Sequence, residues 1–194
     1  MPAPVIYING YPGVGKLTVA LALQPLLTGS KVLHNHELID PVEESCPRGG
    51  PYYQLKRAEY RQARLQPIMH DPCLRDTIFI FTDSQQEHND CVGDYTDLAL
   101  GEYGRRFYSV ILHCEAVENE RRLELPGRGG EAGNGKLTDV KVLREYRARE
   151  GVWKFEDDDE IEIDVTNIGT EVAAQRIATF VEGREKVGRS EPEW

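Results

Sequence analysis

Positive charge is scarce in this 194-residue chain: 23 Lys and Arg stand against 33 Asp and Glu, for a formal net charge of −10. That deficit argues against nonspecific binding to nucleic acid or to an anionic membrane, since acidic surface repels both. An anionic ligand must therefore be held by local cations and backbone amides, working against the global field. No apolar stretch approaches the length that crosses a bilayer. The start, Met1-Pro2-Ala3-Pro4, has neither a basic n-region nor an apolar h-region, so a cytoplasmic rather than a secreted protein is expected. Cys46, Cys73, Cys91 and Cys114 lack the close pairing of a zinc or redox motif, and free thiols are expected. No Asn-Lys-x-Asp tetrapeptide is present, which removes the guanine-reading pattern of a GTPase.

What is present suits a globular α/β protein: 40% hydrophobic and 29% charged residues. The length predicts one domain, over 1–183, with a polar tail at 184–194. Apolar β-rich runs (Val5–Ile8, Lys31–His34, Thr77–Phe81, Phe107–Cys114, Ile161–Val165) alternate with helical patterns (Lys16–Leu27, Tyr53–Ile68, Asp90–Tyr103, Glu118–Leu125, Thr138–Glu150, Thr170–Val181). That alternation predicts a parallel sheet with helices on both faces. In Tyr53–Ile68 the spacing points to Leu55, Ala58, Leu65 and Ile68 as the buried stripe. Prolines and glycines break up 41–52, which reads as loop.

The most specific signal is Gly10-Tyr11-Pro12-Gly13-Val14-Gly15-Lys16-Leu17-Thr18, between the first strand and the first helix. Strand, glycine-rich turn, lysine, hydroxyl and helix together make a phosphate-binding P-loop. Glycines let successive N–H groups point inward as an anion nest, and the helix adds its unpaired N–H groups and positive end. Tyr11, Pro12, Gly13, Val14, Gly15, Lys16, Leu17 and Thr18 are thus the nucleotide-binding candidates, with Lys16 also catalytic. Leu17 departs from the usual Ser or Thr that ligates Mg²⁺.

Three further constellations carry chemistry. Asp83, directly after a buried strand, stands where α/β sheets place ligands, and suits Mg²⁺ or an acceptor hydroxyl; Asp-Ser-x-x-Glu is equally a helix-start signal. His34-Asn35-His36-Glu37-Leu38-Ile39-Asp40 offers Asn35, His36 and Asp40 for acceptor binding and proton removal. Arg121 and Arg122 precede a segment, 126–136, with five glycines, Arg128 and Lys136; Arg144 and Arg147 follow it. Arginines on a mobile loop suit a lid, about 121–138, that closes over phosphates. The alternative is a solvated face on which Glu118, Glu120 and Glu124 pair with them.

The loop spelling Gly-x-Pro-Gly-x-Gly-Lys-x-Thr resembles that of adenylate kinase. With the chain length, the arginine helix before a glycine-rich lid, and the strand–Thr–Asn turn before the last helix, the chain resembles the small P-loop kinases. That group includes adenylate, shikimate and gluconate kinases and chloramphenicol phosphotransferase. The resemblance implies a three-layer α/β/α fold with a five-stranded parallel sheet in the order 2-3-1-4-5. It implies that Thr18 touches the α-phosphate, that Thr166 and Asn167 border the adenine with Arg121 beside the nucleotide, and that phosphates, waters and Asp83 hold Mg²⁺. No Asp-x-Asp follows the second strand as in shikimate kinase; Asn35 and Glu37 stand there instead. No nucleoside-monophosphate arginine stands there either, which leaves Arg57, Arg61 and Arg64.

The function expected is an ATP- and Mg²⁺-dependent kinase of a small-molecule hydroxyl, acting as a monomer or homodimer, with Lys16, Asp83, Arg121, Arg122 and Arg128 catalytic. The alternatives are a nucleotide-binding regulatory protein or slow NTPase, and a relative that binds nucleotide but has lost the chemistry. The acceptor region is about 34–75.

Overall fold

The computed structural model describes residues 1–87, 92–126, 136–149 and 151–190. Among them, five strands form one parallel sheet in the spatial order β2-β3-β1-β4-β5: β1 (Val5–Asn9), β2 (Ser30–His34), β3 (Ile78–Thr82), β4 (Phe107–His113) and β5 (Glu160–Asp164). β1 lies at the centre, and every one of its residues is buried. A strand covered on both faces must be apolar along its length rather than alternating, and Val-Ile-Tyr-Ile meets that demand. Its one polar residue, Asn9, falls where the strand meets the glycine-rich loop.

Helices cover both faces: α1 (Lys16–Leu23), α2 (Asn35–Glu43), α3 (Tyr53–His70), α4 (Val92–Leu100), α5 (Ala116–Leu123), α6 (Val140–Arg149) and α7 (Thr170–Ser190). One core packs α1 and α7 against Ile6, Ile8, Val110 and Leu112. The other packs α3 and α4 against Val5, Tyr7, Phe79 and Phe81. Alternate residues of β1 thus serve opposite layers, as the two-residue period of a strand requires. At the opposite end of the sheet from the glycine-rich loop, the buried Arg105 donates to the carbonyls of Ala3, Leu74 and Thr77.

Several local expectations are corrected. Residues 41–43, expected as the start of a loop over 41–52, are instead the end of α2. His34 and Glu37 form a reciprocal capping box at its start; such a box supplies partners for first-turn N–H groups. Pro41 sits inside this helix, where it removes one backbone hydrogen bond; burial of Leu38, Ile39 and Val42 offsets that loss. Leu55 is exposed, and the buried face of α3 is Tyr53, Arg61, Leu65 and Ile68. α1 stops at Leu23 and continues as a 3-10 turn, Gln24–Leu26, with Pro25 in it. α7 runs on to Ser190 instead of ending at Val181, and β4 holds its extension: Arg106 donates to the Arg184 carbonyl and the Tyr108 hydroxyl to Glu185.

Candidate functional site

The loop between β1 and α1 is shaped by backbone that a side chain would obstruct. Gly10 has φ 154°, and a Cβ there would lie 2.3 Å from the Leu112 carbonyl oxygen. Gly13 has φ 95°, and a Cβ would lie 2.6 Å from Asn119 Nδ2. The loop therefore presses directly on β4 and α5. No side chain caps the start of α1 at Gly15, so the first-turn amides face the loop as an anion nest. Lys16 Nζ donates to the carbonyls of Gly10 (2.7 Å) and Tyr11 (2.9 Å) and to Ser84 Oγ (2.8 Å). The ammonium thus joins the loop to the segment that follows β3.

Asn9 organises that junction. Fully buried, it donates to the carbonyls of Gln85 (3.0 Å) and Trp153 (3.1 Å) and accepts from the amides of Gly10 (2.9 Å) and Gln85 (2.8 Å). Three chain segments meet on one side chain. Asp83 lies beside it, also buried: Oδ1 accepts from the Ser84 amide (2.7 Å), and Oδ2 from Gln85 Nε2 (2.7 Å) and the Tyr95 hydroxyl (3.1 Å). The helix-start reading of Asp83 is corrected, because residues 84–87, which follow it directly, are not helical. The carboxylate is instead fixed by three donors at the carboxyl end of β3.

These groups line one open cleft of about 390 Å³. Its floor is Gly10, Tyr11, Pro12, Gly13, Gly15, Lys16, Leu17 and Thr18, with Thr82, Asp83 and Ser84 at one side. His34, Asn35, His36 and Ile39, from the end of β2 and the start of α2, line it too, with Arg48 and Arg57 and with Lys136, Leu137 and Tyr146. Phosphate cradle, carboxylate and candidate acceptor residues therefore share one space. Asp40 does not line it; its carboxylate meets His36 Nδ1 at 3.4 Å. Burial pushes the His36 pKa below its ordinary 6.5, with Asp40 pulling the other way. His36 is thus a neutral imidazole at pH 7.

The arginines divide by what they hold. Arg122 donates to the carbonyls of Val14 (3.2 Å) and Val165 (2.7 Å) and to Glu118 (2.6 Å), tying the back of the loop to the end of β5. Arg121 is mostly exposed, bidentate on Glu118 at 2.7 and 2.8 Å, and does not line the cleft. Hydrogen bonds from Arg121 and then Arg122 hold the Glu118 carboxyl down at about 2. Arg144 is bidentate on Glu120. Arg147 stacks over the Tyr11 ring at 4.7 Å and donates to Asn119 Oδ1 (3.0 Å), while Asn119 Nδ2 donates to the Pro12 carbonyl (2.8 Å). α6 is thereby latched to the loop. Arg128 and the glycine stretch 127–135 lie outside the described residues. Thr166 accepts from the Glu115 amide (2.9 Å), and its carbonyl lies 3.3 Å from Arg122 Nη2. Thr166 and Asn167 sit behind the loop, off the cleft lining.

Sequence reasoning missed Asn9, Ser84, Gln85, Tyr95 and Asn119. Asn9 had a usable signal, a polar residue ending a fully apolar central strand. The others act through long-range contacts that no local pattern encodes.

A parallel sheet ordered 2-3-1-4-5, with a glycine-rich loop and lysine between β1 and α1, defines the P-loop α/β fold as the small P-loop kinases build it. No family model matches the sequence, and no curated protein matches it. Solved structures do match over nearly the whole chain. An unliganded sugar kinase from Janibacter sp. HTCC2649 is 18% identical, with TM-score 0.63 over 93% of this chain and 95% of that one. A gluconokinase from Sinorhizobium meliloti is 14% identical, with TM-score 0.58 over 94% and 97%. An APS kinase from Mycobacterium tuberculosis, solved with AMPPNP and APS, is 15% identical, with TM-score 0.61 over 93% and 98%. At these identities the likeness is one of fold. Among the described residues, no helix is long and apolar enough to cross a membrane.

Proposed function

We propose that the protein is an ATP-dependent kinase that transfers the γ-phosphoryl group to a hydroxyl of a small molecule. The observation that carries this reading is the shared cleft: the Lys16 loop and the clamped Asp83 face Asn35 and His36 across one cavity. The loop amides and Lys16 bind the phosphates, and Lys16 supplies charge for the transferring group, while Arg121 and Arg122 stand off the cleft lining, held by Glu118 and by the Val14 and Val165 carbonyls. The acceptor oxygen forms a bond to the γ-phosphorus as the bond to the β–γ bridging oxygen breaks, releasing ADP. Its proton passes to a base on the wall; Asp83 and the neutral His36 are the two groups placed to take it. Thr166 and Asn167 border the adenine on the far side of Arg122.

The donor set suits Mg²⁺ held chiefly by phosphate. No group of three or more metal-ligating side chains occurs among the described residues, and Mg²⁺ in such sites takes one or two carboxylates, waters and substrate oxygens. Asp83 is the carboxylate that fits, with Thr18 at the same cleft; Leu17 removes the usual loop hydroxyl. When bound, the ion would neutralise phosphate charge.

Because Leu17 also fits a regulatory nucleotide binder, the test must separate binding from transfer. A thermal-shift screen of hydroxylated metabolites and antibiotics, with an unreactive ATP analogue present, should give added stabilisation from one acceptor class, and that class should stimulate ADP release from ATP. Stabilisation by nucleotide alone, with ADP release indifferent to every acceptor, would favour the regulatory reading.

A further inference from the structure

Tyr95 belongs to the buried stripe of α4, with Val92 and Leu98, and packs into the core of that face. Its ring lies 4.9 Å from that of Tyr7 and edge-on to Phe81 at 5.3 Å, where a phenylalanine would fill the same space. The hydroxyl is the difference, and it donates to Asp83 Oδ2 (3.1 Å) at the carboxyl end of β3. The preceding residue, Asp94, pairs with the buried Arg61 of α3 at 2.5 Å, which pins this turn of α4. Gln85 donates to the same Asp83 oxygen (2.7 Å), while its own Oε1 is buried with no hydrogen-bond partner. Leaving a buried carbonyl oxygen unpaired is costly, and turning the amide round would set that oxygen against the carboxylate. The Gln85 side chain is therefore committed to Asp83. A carboxylate offers about four acceptor sites on its two oxygens. Tyr95 and Gln85 take the two on Oδ2, the Ser84 amide takes one on Oδ1 (2.7 Å), and one on Oδ1 is left.

We propose that Tyr95, together with Gln85, is a positioning residue that fixes the Asp83 carboxylate so that its remaining Oδ1 site meets the Mg²⁺ shell of the bound nucleotide. This rests on the kinase reading of the same cleft. Tyr95 does not line the cleft, so it acts through Asp83 and not on the nucleotide. With the hydroxyl in place the carboxylate is ordered before the ion arrives, and little rotational freedom is lost on binding. Without it, Asp83 keeps its charge but loses its fixed aim. Partners that orient a metal's ligands in this way typically cost about 10- to 100-fold in metal affinity or activity when removed.

The test uses the full chain and reads binding rather than turnover. Calorimetry gives the AMPPNP affinity with Mg²⁺ and with EDTA, in wild type, Y95F, D83N, the double variant Y95F/D83N and Y108F. Tyr108 is the control: it is equally buried, and its hydroxyl donates to Glu185, away from the cleft. The expected result is that Mg²⁺ tightens AMPPNP binding in wild type and that this gain falls at least ~10-fold in Y95F. D83N should lose the gain as well, and the double variant no more than D83N, because both changes act on one interaction. The affinity for the nucleotide itself, read in EDTA, stays at the wild-type value throughout, and Y108F behaves as wild type. A full Mg²⁺ gain in Y95F, equal weakening with and without Mg²⁺, a further loss in the double variant, or a wild-type chain that Mg²⁺ does not tighten would overturn the inference while leaving the kinase reading intact. Failure of AMPPNP to bind wild type would overturn both. Should Y95F not fold, Q85M removes the other side-chain donor to the same oxygen and gives the same readout.

Discussion

Replacing Asn9 by alanine tests whether one side chain fixes the spatial relation of the loop, the Asp83 segment and the chain around Trp153. The substitution strands two carbonyls, of Gln85 and Trp153, and two amides, of Gly10 and Gln85, in a site with no solvent access. Each buried group left without a partner costs roughly 1–3 kcal/mol, so the gross penalty exceeds what the loop keeps after relaxing and admitting water. A net loss of about 3–5 kcal/mol is expected, a large share of the roughly 5–15 kcal/mol that holds a domain folded. Urea unfolding by circular dichroism reads it as a lower midpoint at constant slope. N9D separates shape from hydrogen bonding: it keeps both accepted bonds but turns a carboxylate toward two carbonyls. Its penalty relative to wild type should shrink as pH falls, because protonation restores one donor. A loss below about 1 kcal/mol in N9A, with nucleotide affinity unchanged, would refute the idea that Asn9 organises the site.

Three other perturbations probe neighbouring parts. Asp83→Asn puts an amide where three donors converge, so it should cost about 1–3 kcal/mol. It should also lower kcat at least ~10²-fold, with nucleotide affinity nearly constant; unchanged kcat would remove Asp83 from the chemistry. R122A should lower both stability and nucleotide affinity, because it frees the Val14 and Val165 carbonyls. R121A should leave the unfolding midpoint close to the wild-type value, because its ion pair is exposed, so any drop in its kcat reports charge lost near the phosphates rather than folding. His36 has a folded pKa depressed below 6.5, so its contribution to stability is present above pH 6.5 and is lost as pH falls from there through the folded value. D40A removes the influence that raises it, and NMR titration should find it lower still, with the acid limb of activity shifting the same way; an upward shift would contradict the assignment.

The phosphate loop was legible because its chemistry is contiguous: strand, glycines, lysine and helix follow one another, and the structure keeps them in that order. β1, β3 and β4 were legible for a related reason, since strands covered on both faces demand apolar runs, while the edge strand β5 alternates as Glu-Ile-Glu-Ile-Asp. α2 was not, because Pro41 reads as a breaker, while the cap that starts the helix depends on His34 and Glu37 acting together. The exposure of Leu55 and the burial of Arg61 reverse what hydropathy suggests, and an ion pair to Asp94 on another helix explains the arginine. The Asn9 and Asn119 clamps join residues far apart in the chain, which only the fold brings together. The glycine stretch with Arg128, expected as a lid, lies outside the described residues; Lys136 and Leu137, which follow it, line the cleft.

The central claim is phosphoryl transfer from a nucleotide held by Lys16 to an acceptor bound opposite it. ADP release from ATP and Mg²⁺, measured with and without hydroxylated acceptors in wild type and K16A, tests it most directly. Turnover that rises with one acceptor class and vanishes in K16A, while K16A still unfolds in one cooperative transition with its midpoint lowered only by the loss of the three Lys16 hydrogen bonds, is the predicted result. Wild-type turnover in K16A, or a rate indifferent to every acceptor, would contradict it.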